Sequence, residues 1–355
     1  MTKLGFTGDI ALSGIIGNFS EAQITEQLNL GKIAESTVFI INLEAPATSE
    51  NDVSVKNQGI KLRSSREVLK YFLNINRIAA ATLANNHSTD FGPAGLKNTI
   101  QILDGFNIPH TGAGLKHQHI EPAIFEVDNK KYALLSYVHP GTHPFTADDV
   151  FLNIYNKQEI ITAVQNIKNK VDFTILSLHW GKDYSKYPQS WQIKDAHDLI
   201  REGADVIAGH HPHVIQPFEY YNERFIFYSL GSTIFGDFYL RDRLRALPIK
   251  TKRSFIPVFS NIKEYPEFVS IRELKGNHLV LNSVNVKRWS ERTMRRTIVK
   301  NRNPIYSFLV NFREKWLDRI IDVLFGYYRN PFKDILSISA VRNALKIIRK
   351  KSANQ

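Results

Sequence analysis

The sequence contains no cysteine. That excludes disulfides, a thiolate nucleophile and zinc sites built on sulfur. Any metal bound by this chain must be held by His, Asp, Glu and Asn, a donor set that suits zinc, manganese, iron or magnesium. No uninterrupted run of roughly 18 apolar residues is present, so no membrane-spanning helix is expected. The opening "MTKLGFTGDIALSG" lacks the apolar core of a secretory signal and runs straight into a strand pattern. The expectation is a chain made and kept in the cytoplasm.

Acidic residues are scarce in one part only. Residues 241–355 hold 26 Lys and Arg against 9 Asp and Glu, whereas the first 240 hold 20 against 25. The net charge of +12 therefore belongs to the C-terminal part. With 355 residues and 43% hydrophobic content, the chain is long enough for a substantial core.

The first 240 residues alternate strand-like apolar runs with amphipathic helical ones. The strand candidates are "KLGFTG", "STVFIINLE", "IAAATLAN", "FEVDNKKYALLSYV", "DFTILSLHW", "ADVIAGHH" and "RFIFYSL". This order predicts an α/β domain whose sheets are sandwiched by helices. "EVDNKKYALL" reads as a hairpin turning on Asp128-Asn129, so at least one sheet should be mixed. Residues 241–300 read as a basic extension with one or two strands, such as "HLVLNSVNV". Residues 301–355 read as a basic amphipathic helical tail with aromatics on one side.

Polar residues gather where the strand candidates end, the edge at which open α/β sheets bind ligands. "GFTGD" ends in Asp9, "FIINLE" in Asn42 and Glu44, and "ATLANNH" in Asn85, Asn86 and His87, with Asp90 following. "ILSLHWG" ends in His179, and "VIAGHHPH" in His210, His211 and His213. Each residue alone is ordinary loop chemistry. Together they supply carboxylates, amides and imidazoles at one edge, the inventory that holds one or two divalent cations, in the latter case roughly 3.5–4 Å apart.

The blocks "GFTGDI", "NLEAP", "ANNHSTDFGPAGL", "HWGKDY", "GHHPHVIQPFEYY" and "FYSLGSTIFGD" resemble the CapA family of bacterial capsule synthesis proteins, over about residues 3 to 240. The namesake of that family works in poly-γ-glutamate capsule formation. The family is similar in turn to the calcineurin-like metallophosphoesterases. The resemblance implies a four-layer α/β/β/α sandwich with mixed sheets over residues 1–240. It also implies a site holding one or two ions of manganese, iron or zinc.

The phosphoesterase pattern carries over residue by residue. Its first block is Asp-x-His; Asp9 matches the Asp, and Ala11 stands where the His would be. Glu44 resembles a substitute for the bridging Asp of the second block. Asn86 and His87 match the Asn ligand and the catalytic His of the third, while Asp90 comes later than that block's acid and is placed to orient His87. His179 matches the fourth-block ligand. His211 and His213 match the final His-x-His, with His210 as the alternative first ligand. Two further departures are Ser232-Thr233, where the family usually shows Asn-Phe, and Asp183, where Glu is usual.

Asn42, Asn85, Trp180, Tyr184 and Ser232 are candidates for binding substrate; for Trp180 and Tyr184, ordinary packing behind a loop is the open alternative. His139 and His143 follow a strand and are further candidates to reach the site.

Three functions are consistent with these features. The first is a CapA-like hydrolase of capsule or cell-envelope polymer metabolism, acting on an anionic polymer or phosphate-containing substrate. The second is a general metal-dependent phosphoesterase. The third is a non-catalytic accessory protein that binds polymer or other capsule synthesis proteins. The basic tail has two placements, as a cap on the body or along the inner membrane surface with Phe308, Phe312, Trp316, Phe325, Tyr327 and Phe332 near the headgroups. Nucleic acid ranks below both, since no DNA- or RNA-binding module accompanies the charge.

Overall fold

The structure is a computed structural model. It describes residues 1–32, 36–49, 52–56, 59–115, 121–146, 149–240, 243–245, 247–273, 279–283 and 286–313. In chain order the main elements begin β1 (Lys3–Ala11), α1 (Glu21–Gln27), β2 (Thr37–Leu43), α2 (Arg66–Ile75), β3 (Ile78–Thr82), α3 (Gly92–Gly105) and β4 (His110–Thr111). There follow β5 (Ala123–Val127), β6 (Lys130–Val138), α4 (Lys157–Ile167), β7 (Phe173–His179), α5 (Ser190–Arg201), β8 (Val206–His210), β9 (Phe218–Tyr221) and β10 (Arg224–Phe227). The last are β11 (Ser232–Phe235), β12 (Arg253–Phe259), β13 (Glu267–Glu273), β14 (Leu279–Ser283), α6 (Lys287–Arg302) and α7 (Pro304–Phe312).

Two mixed sheets lie face to face. The first runs β14-β13-β12-β1-β2-β3-β4, and the second β9-β10-β8-β7-β6-β5. The strand period of two sorts side chains between layers. Leu4, Phe6, Ile40 and Ala80 of the first sheet meet Leu134, Ile175, Val206 and Ala208 of the second. The opposite face of the first sheet, with Ile10, Phe39, Ile41 and Ala81, is covered by Ile24, Val68, Phe72 and Leu96 from α1–α3. The outer face of the second, with Leu135, Leu176, Leu178 and Ile207, is covered by Ile160, Val164, Ala196 and Leu199 from α4 and α5. The result is the expected four-layer α/β/β/α sandwich.

The β5–β6 hairpin turns where the sequence indicates, with Val127 opposite Lys130. Asp128 and Asn129 both have positive φ, 47° and 62°, as a two-residue turn matching the strand twist requires.

The region after residue 240 differs from the expected extension. It supplies β12, which pairs antiparallel with β1 through Leu4 and Gly5, and then β13 and β14. These strands are part of the first sheet. β14, the edge strand, falls within the expected "HLVLNSVNV", while Arg253 of β12 and Arg272 of β13, opposite each other in the ladder, are exposed. Trp316, Phe325, Tyr327 and Phe332 lie outside the described residues. No helix among the described residues is long and apolar enough to cross a membrane.

Two glycines set how closely the strands approach beneath the ligand loops. A Cβ on Gly8, just before Asp9, would lie 2.1 Å from the carbonyl oxygen of Gly231, and one on Gly209, just before His210, would lie 2.1 Å from that of Tyr228. Both obstacles are backbone and cannot swing aside. Gly209→Ala is therefore expected to destabilise the fold by about 1–3 kcal/mol, measured as a lower urea midpoint. An unchanged midpoint would show that these strands have room to separate.

Candidate metal centre and active site

Toward the C-terminal ends of the strands the layer between the sheets changes from apolar to polar. Residues on the inner face continue Ile40 to Asn42, Ala80 to Thr82, Ile175 to Ser177 to His179, and Ala208 to His210. A buried hydrogen-bonded series crosses the gap. Ser177 Oγ lies 3.3 Å from Thr82 Oγ1, Thr82 Oγ1 donates to Asn42 Oδ1 at 3.2 Å, and Asn42 Nδ2 donates to Asp9 Oδ1 at 2.9 Å. Polar groups in a dry interior are tolerated when each has a partner, and this series ties the two sheets together below the site.

Above it sits Glu44. It is fully buried and neither carboxylate oxygen has a hydrogen-bond partner. Its Oε1 lies 3.6 Å from His213 Nε2 and 3.8 Å from His179 Nε2, so the carboxylate stands between two sets of donors. On one side are Asp9 and His213, 3.0 Å apart, with His210 Nδ1 3.2 Å from the other Asp9 oxygen. On the other side His179 Nε2 is 2.8 Å from Asn86 Oδ1, and the His211 ring centre is 5.0 Å from that of His179. Ligand atoms of Asp9, Glu44 and His213 lie within 4.8 Å of one another. An unpaired buried carboxylate is costly in a folded protein. A cation beside buried Glu44, Asp9 and His213 removes that cost, so the residues present fit a divalent metal.

Some of these donors stand ready for a cation and others must first give up a proton to admit it. Burial pushes the Glu44 carboxyl well above its ordinary range. Burial opposes ionisation of Asp9 as well, but the hydrogen bonds and charges of His210 and His213 outweigh it and hold that carboxyl low. Burial holds His179 well below its usual value and His211 down to about 4, leaving both as neutral imidazoles, the form that binds metal. For His213, burial is outweighed by the negative charges of Glu44 and Asp9, and its pKa rises to about 9.

Ala11 stands where the phosphoesterase pattern has its first His. It is buried in an apolar cluster with Ala45, Leu62, Phe235 and Leu247. That space offers no ligand, and His210 is the imidazole nearest to Asp9 besides His213.

A cavity of about 740 Å³ opens onto the centre. His87, Asn86, His213, Tyr184 and Ser232 line it, together with His143, Asp183 and Lys56. His87 Nδ1 is 2.7 Å from Asp90 Oδ2, and Asp90 is fully buried. Burial lowers the His87 pKa against the opposing pull of Asp90. Ser232 Oγ lies 3.2 Å from His213 Nδ1. His143, Tyr184, His211 and His213 all have positive φ, between 54° and 92°. Such backbone is uncommon for these residue types and clusters at functional sites.

Three of the substrate-binding candidates stand elsewhere. Trp180 does not wall the pocket: it is fully buried against the helices, its indole N–H donating to the Tyr228 carbonyl at 3.1 Å. It follows inward-facing His179 by one residue, and the strand period turns it to the opposite face. Asn85 is consumed by its own loop, donating to the Leu43 carbonyl and accepting from His87 N, Ser88 N and Ser88 Oγ. Asn42 holds Asp9 and lies 3.4 Å from His179 Nδ1, so it positions ligands below the cavity.

His143 reaches the cavity, whereas His139 stacks on Trp191 at 4.5 Å. His197 of α5 pairs with Glu219 of β9 at 2.6 Å in a half-buried contact, away from the centre. Thr82, Ser177 and Lys56 have no motif around them. The first two were legible only as polar residues at inner-face positions of apolar strands; Lys56 carried no signal.

The chain is thus a four-layer α/β/β/α sandwich with a buried cluster of carboxylates and imidazoles at its strand ends, a donor set that fits a metal ion. The family model for bacterial capsule synthesis protein PGA_cap matches residues 3–237, and the chain belongs to that family. It is 29% identical over 254 residues to PGA biosynthesis protein CapA of Bacillus subtilis, covering 68% of this chain and 65% of that one. To capsule biosynthesis protein CapA of Bacillus anthracis it is 28% identical over 221 residues, covering 58% and 52%. The chain thus spans between half and two thirds of these relatives. The crystal structure of a putative 5'-nucleotidase from Staphylococcus aureus aligns with a TM-score of 0.46 at 10% identity, over 84% of this chain and 58% of that one.

A cation entering beside Glu44 must displace the proton of His213. Manganese affinity is therefore expected to strengthen as pH rises from 6.5 toward about 9, with proton release visible by calorimetry in buffers of different ionisation enthalpy. A pH-independent affinity without proton release would remove His213 from the ligand set.

Proposed function

We propose that this chain is a metal-dependent hydrolase of phosphoesterase type that works in capsule or cell-envelope polymer metabolism. The observation that carries the reading is Glu44, a buried carboxylate with no hydrogen-bond partner, set between two groups of imidazoles, one of which, His213, lines an open cavity. One group is Asp9, Glu44 and His213 with His210 near; the other is Glu44, Asn86, His179 and His211. The first is the more compact, with ligand atoms of Asp9, Glu44 and His213 within 4.8 Å of one another, although Ala11 adds no donor to it. The centre accordingly takes two divalent ions with unequal affinity. Bound ions supply Lewis-acid polarisation of the scissile bond and a water of lowered pKa.

The remaining steps fall to side chains. Asp90 fixes Nδ1 of His87 as the protonated nitrogen and leaves Nε2 for the cavity that His87 lines. When Nε2 gains a proton, the adjacent carboxylate stabilises the imidazolium, and that proton passes to the leaving-group oxygen. Ser232 and Tyr184 line the cavity as substrate contacts. The polymer role is supported by family membership and by the names of the Bacillus relatives.

His87→Ala is expected to lower turnover of an alkyl phosphate ester, whose alkoxide leaving group needs a proton, at least a hundredfold, with the metal content of the protein unchanged. Full activity in that variant would remove His87 as the acid. Metal binding without turnover of any phosphate ester, even by the wild type, would leave an accessory protein that binds polymer.

A second reading concerns a surface, not the centre. α6 carries seven Lys and Arg and one acid, Glu291. Beside it α7 exposes Ile305, Phe308, Leu309 and Phe312, each more than half accessible. Exposed apolar residues next to exposed arginines suit an anionic lipid surface. The full chain should co-sediment with phosphatidylglycerol vesicles and not with phosphatidylcholine ones, and changing Arg292, Arg295 and Arg296 to Gln should weaken that binding at least tenfold. Equal binding to both lipids would refute the electrostatic component.

A further inference from the structure

We propose that the cavity takes phosphate esters of aliphatic alcohols, the alkyl body lying against an apolar wall made by Ile60, Leu62, Phe145 and Phe235. The proposal rests on the hydrolase reading above and names the substrate class that reading leaves open.

The wall is assembled from three distant stretches. Ile60 and Leu62 come from the loop between β2 and α2, Phe145 from the loop after β6, and Phe235 ends β11. All four line the same cavity as His87 and His213. Three of them are tied to the reacting machinery by a contact. The Phe235 ring stands edge-on to that of His213, with ring centres 4.7 Å apart. The Leu62 N–H donates to Asp90 Oδ2 at 2.9 Å, and the same oxygen pairs with His87 Nδ1. The Phe145 carbonyl accepts from Thr89 Oγ1, one residue before Asp90. Ile60, two residues before Leu62, keeps 36% of its surface exposed. The apolar wall thus adjoins His87, the group that serves the leaving oxygen, and the part of the ester beside that oxygen is the alcohol.

The departure at Ala11 belongs to the same feature. Ala11 packs in one cluster with Leu62 and Phe235, so the residue that denies the centre a ligand helps to build the wall. Several polar side chains of the cavity are already engaged within the protein. Thr142 Oγ1 donates to the His139 carbonyl at 2.9 Å, Thr251 Oγ1 to the Pro248 carbonyl at 2.7 Å, and Lys56 Nζ pairs with Asp90 at 2.8 Å. A hydroxylated body placed against Leu62 and Phe235 would leave water without gaining partners there. A methylene in the same place gains by leaving water, roughly three- to fourfold in affinity for each one buried. The cavity, at about 740 Å³, falls within the roughly 300–1,000 Å³ of pockets that enclose a whole small molecule, so it has room for a body beyond the phosphate.

The alternative is that these side chains only pack around Ala11 and never meet substrate. The two roles separate in a binding experiment on the full-length, manganese-loaded protein. The probes are methylphosphonate, hexylphosphonate and 5-hydroxypentylphosphonate; none contains a hydrolysable ester, and the last two have equal length. In the wild type hexylphosphonate is expected to bind at least thirtyfold more tightly than methylphosphonate, and at least fivefold more tightly than the hydroxylated probe. Ile60→Ser with Phe145→Ser, at two positions that keep exposed surface, should reduce the hexyl preference at least fivefold while changing methylphosphonate affinity less than threefold and leaving the melting temperature in place. Equal binding of methyl- and hexylphosphonate, a preference for the hydroxylated probe, or a hexyl preference untouched in the double variant would overturn the proposal while leaving the hydrolase reading intact. No phosphonate binding by the metal-loaded wild type would remove the reading itself, and this proposal with it.

Discussion

The Glu44 carboxylate is held in a dry interior with no donor aimed at either oxygen, and much of the structure is arranged around that fact. The carboxyl resists ionisation in such a place, and only a cation can repay the loss of water around its charge. The donors around it come from strand ends: Asp9 from β1, His179 from β7, and His213 from the loop after β8. The first sheet supplies the carboxylates and the second most of the imidazoles. The centre therefore exists only because the sheets are stacked in one register, fixed by Phe6, Ile40 and Ala80 packing against Leu134, Ile175 and Ala208. The Ser177–Thr82–Asn42–Asp9 series continues that register into the polar zone.

The same constraint explains where backbone strain is found. To place two neighbouring imidazoles on opposite sides of Glu44, the Gly-His-His-Pro-His loop turns through positive φ at both His211 and His213. Tyr184, whose N–H donates to the Pro212 carbonyl, turns in the same way beside it. The cost of such conformations is about 1–3 kcal/mol each, and the packed sheets beneath supply the stability that offsets it. Around the centre a second tier acts through Asp90, which holds His87, the Leu62 backbone and Lys56 with one carboxylate. Ala11 marks the place where this arrangement departs from the broader phosphoesterase pattern, with apolar side chains filling the space of a ligand.

Much of this was legible in the chain because strand period and strand-end chemistry are local. The Asp128-Asn129 hairpin, the five helices α1–α5 and the ligand blocks after apolar runs can be read from neighbours a few residues apart. The placement of Trp180 could have been read the same way, since it sits one residue beyond His179 and so on the other face. β12 and β13 were harder, because nothing near them in the chain says that they return to pair beside β1. Lys56 was not legible at all. Its importance comes from Asp90, 34 positions later, and nothing near either residue announces the pair.

By itself, then, the sequence determined which residue types could carry chemistry, that sulfur is absent from any site, and that the donors stand at strand ends. Those properties follow from composition and from the period of two. Only the tertiary structure decided which donors share one space. That depended on how two sheets stack, on which face each polar residue takes, and on which carboxylate is left without a partner. These are relations between residues up to about two hundred positions apart, such as Asp9 and His213, and they arise from packing, which no local pattern encodes.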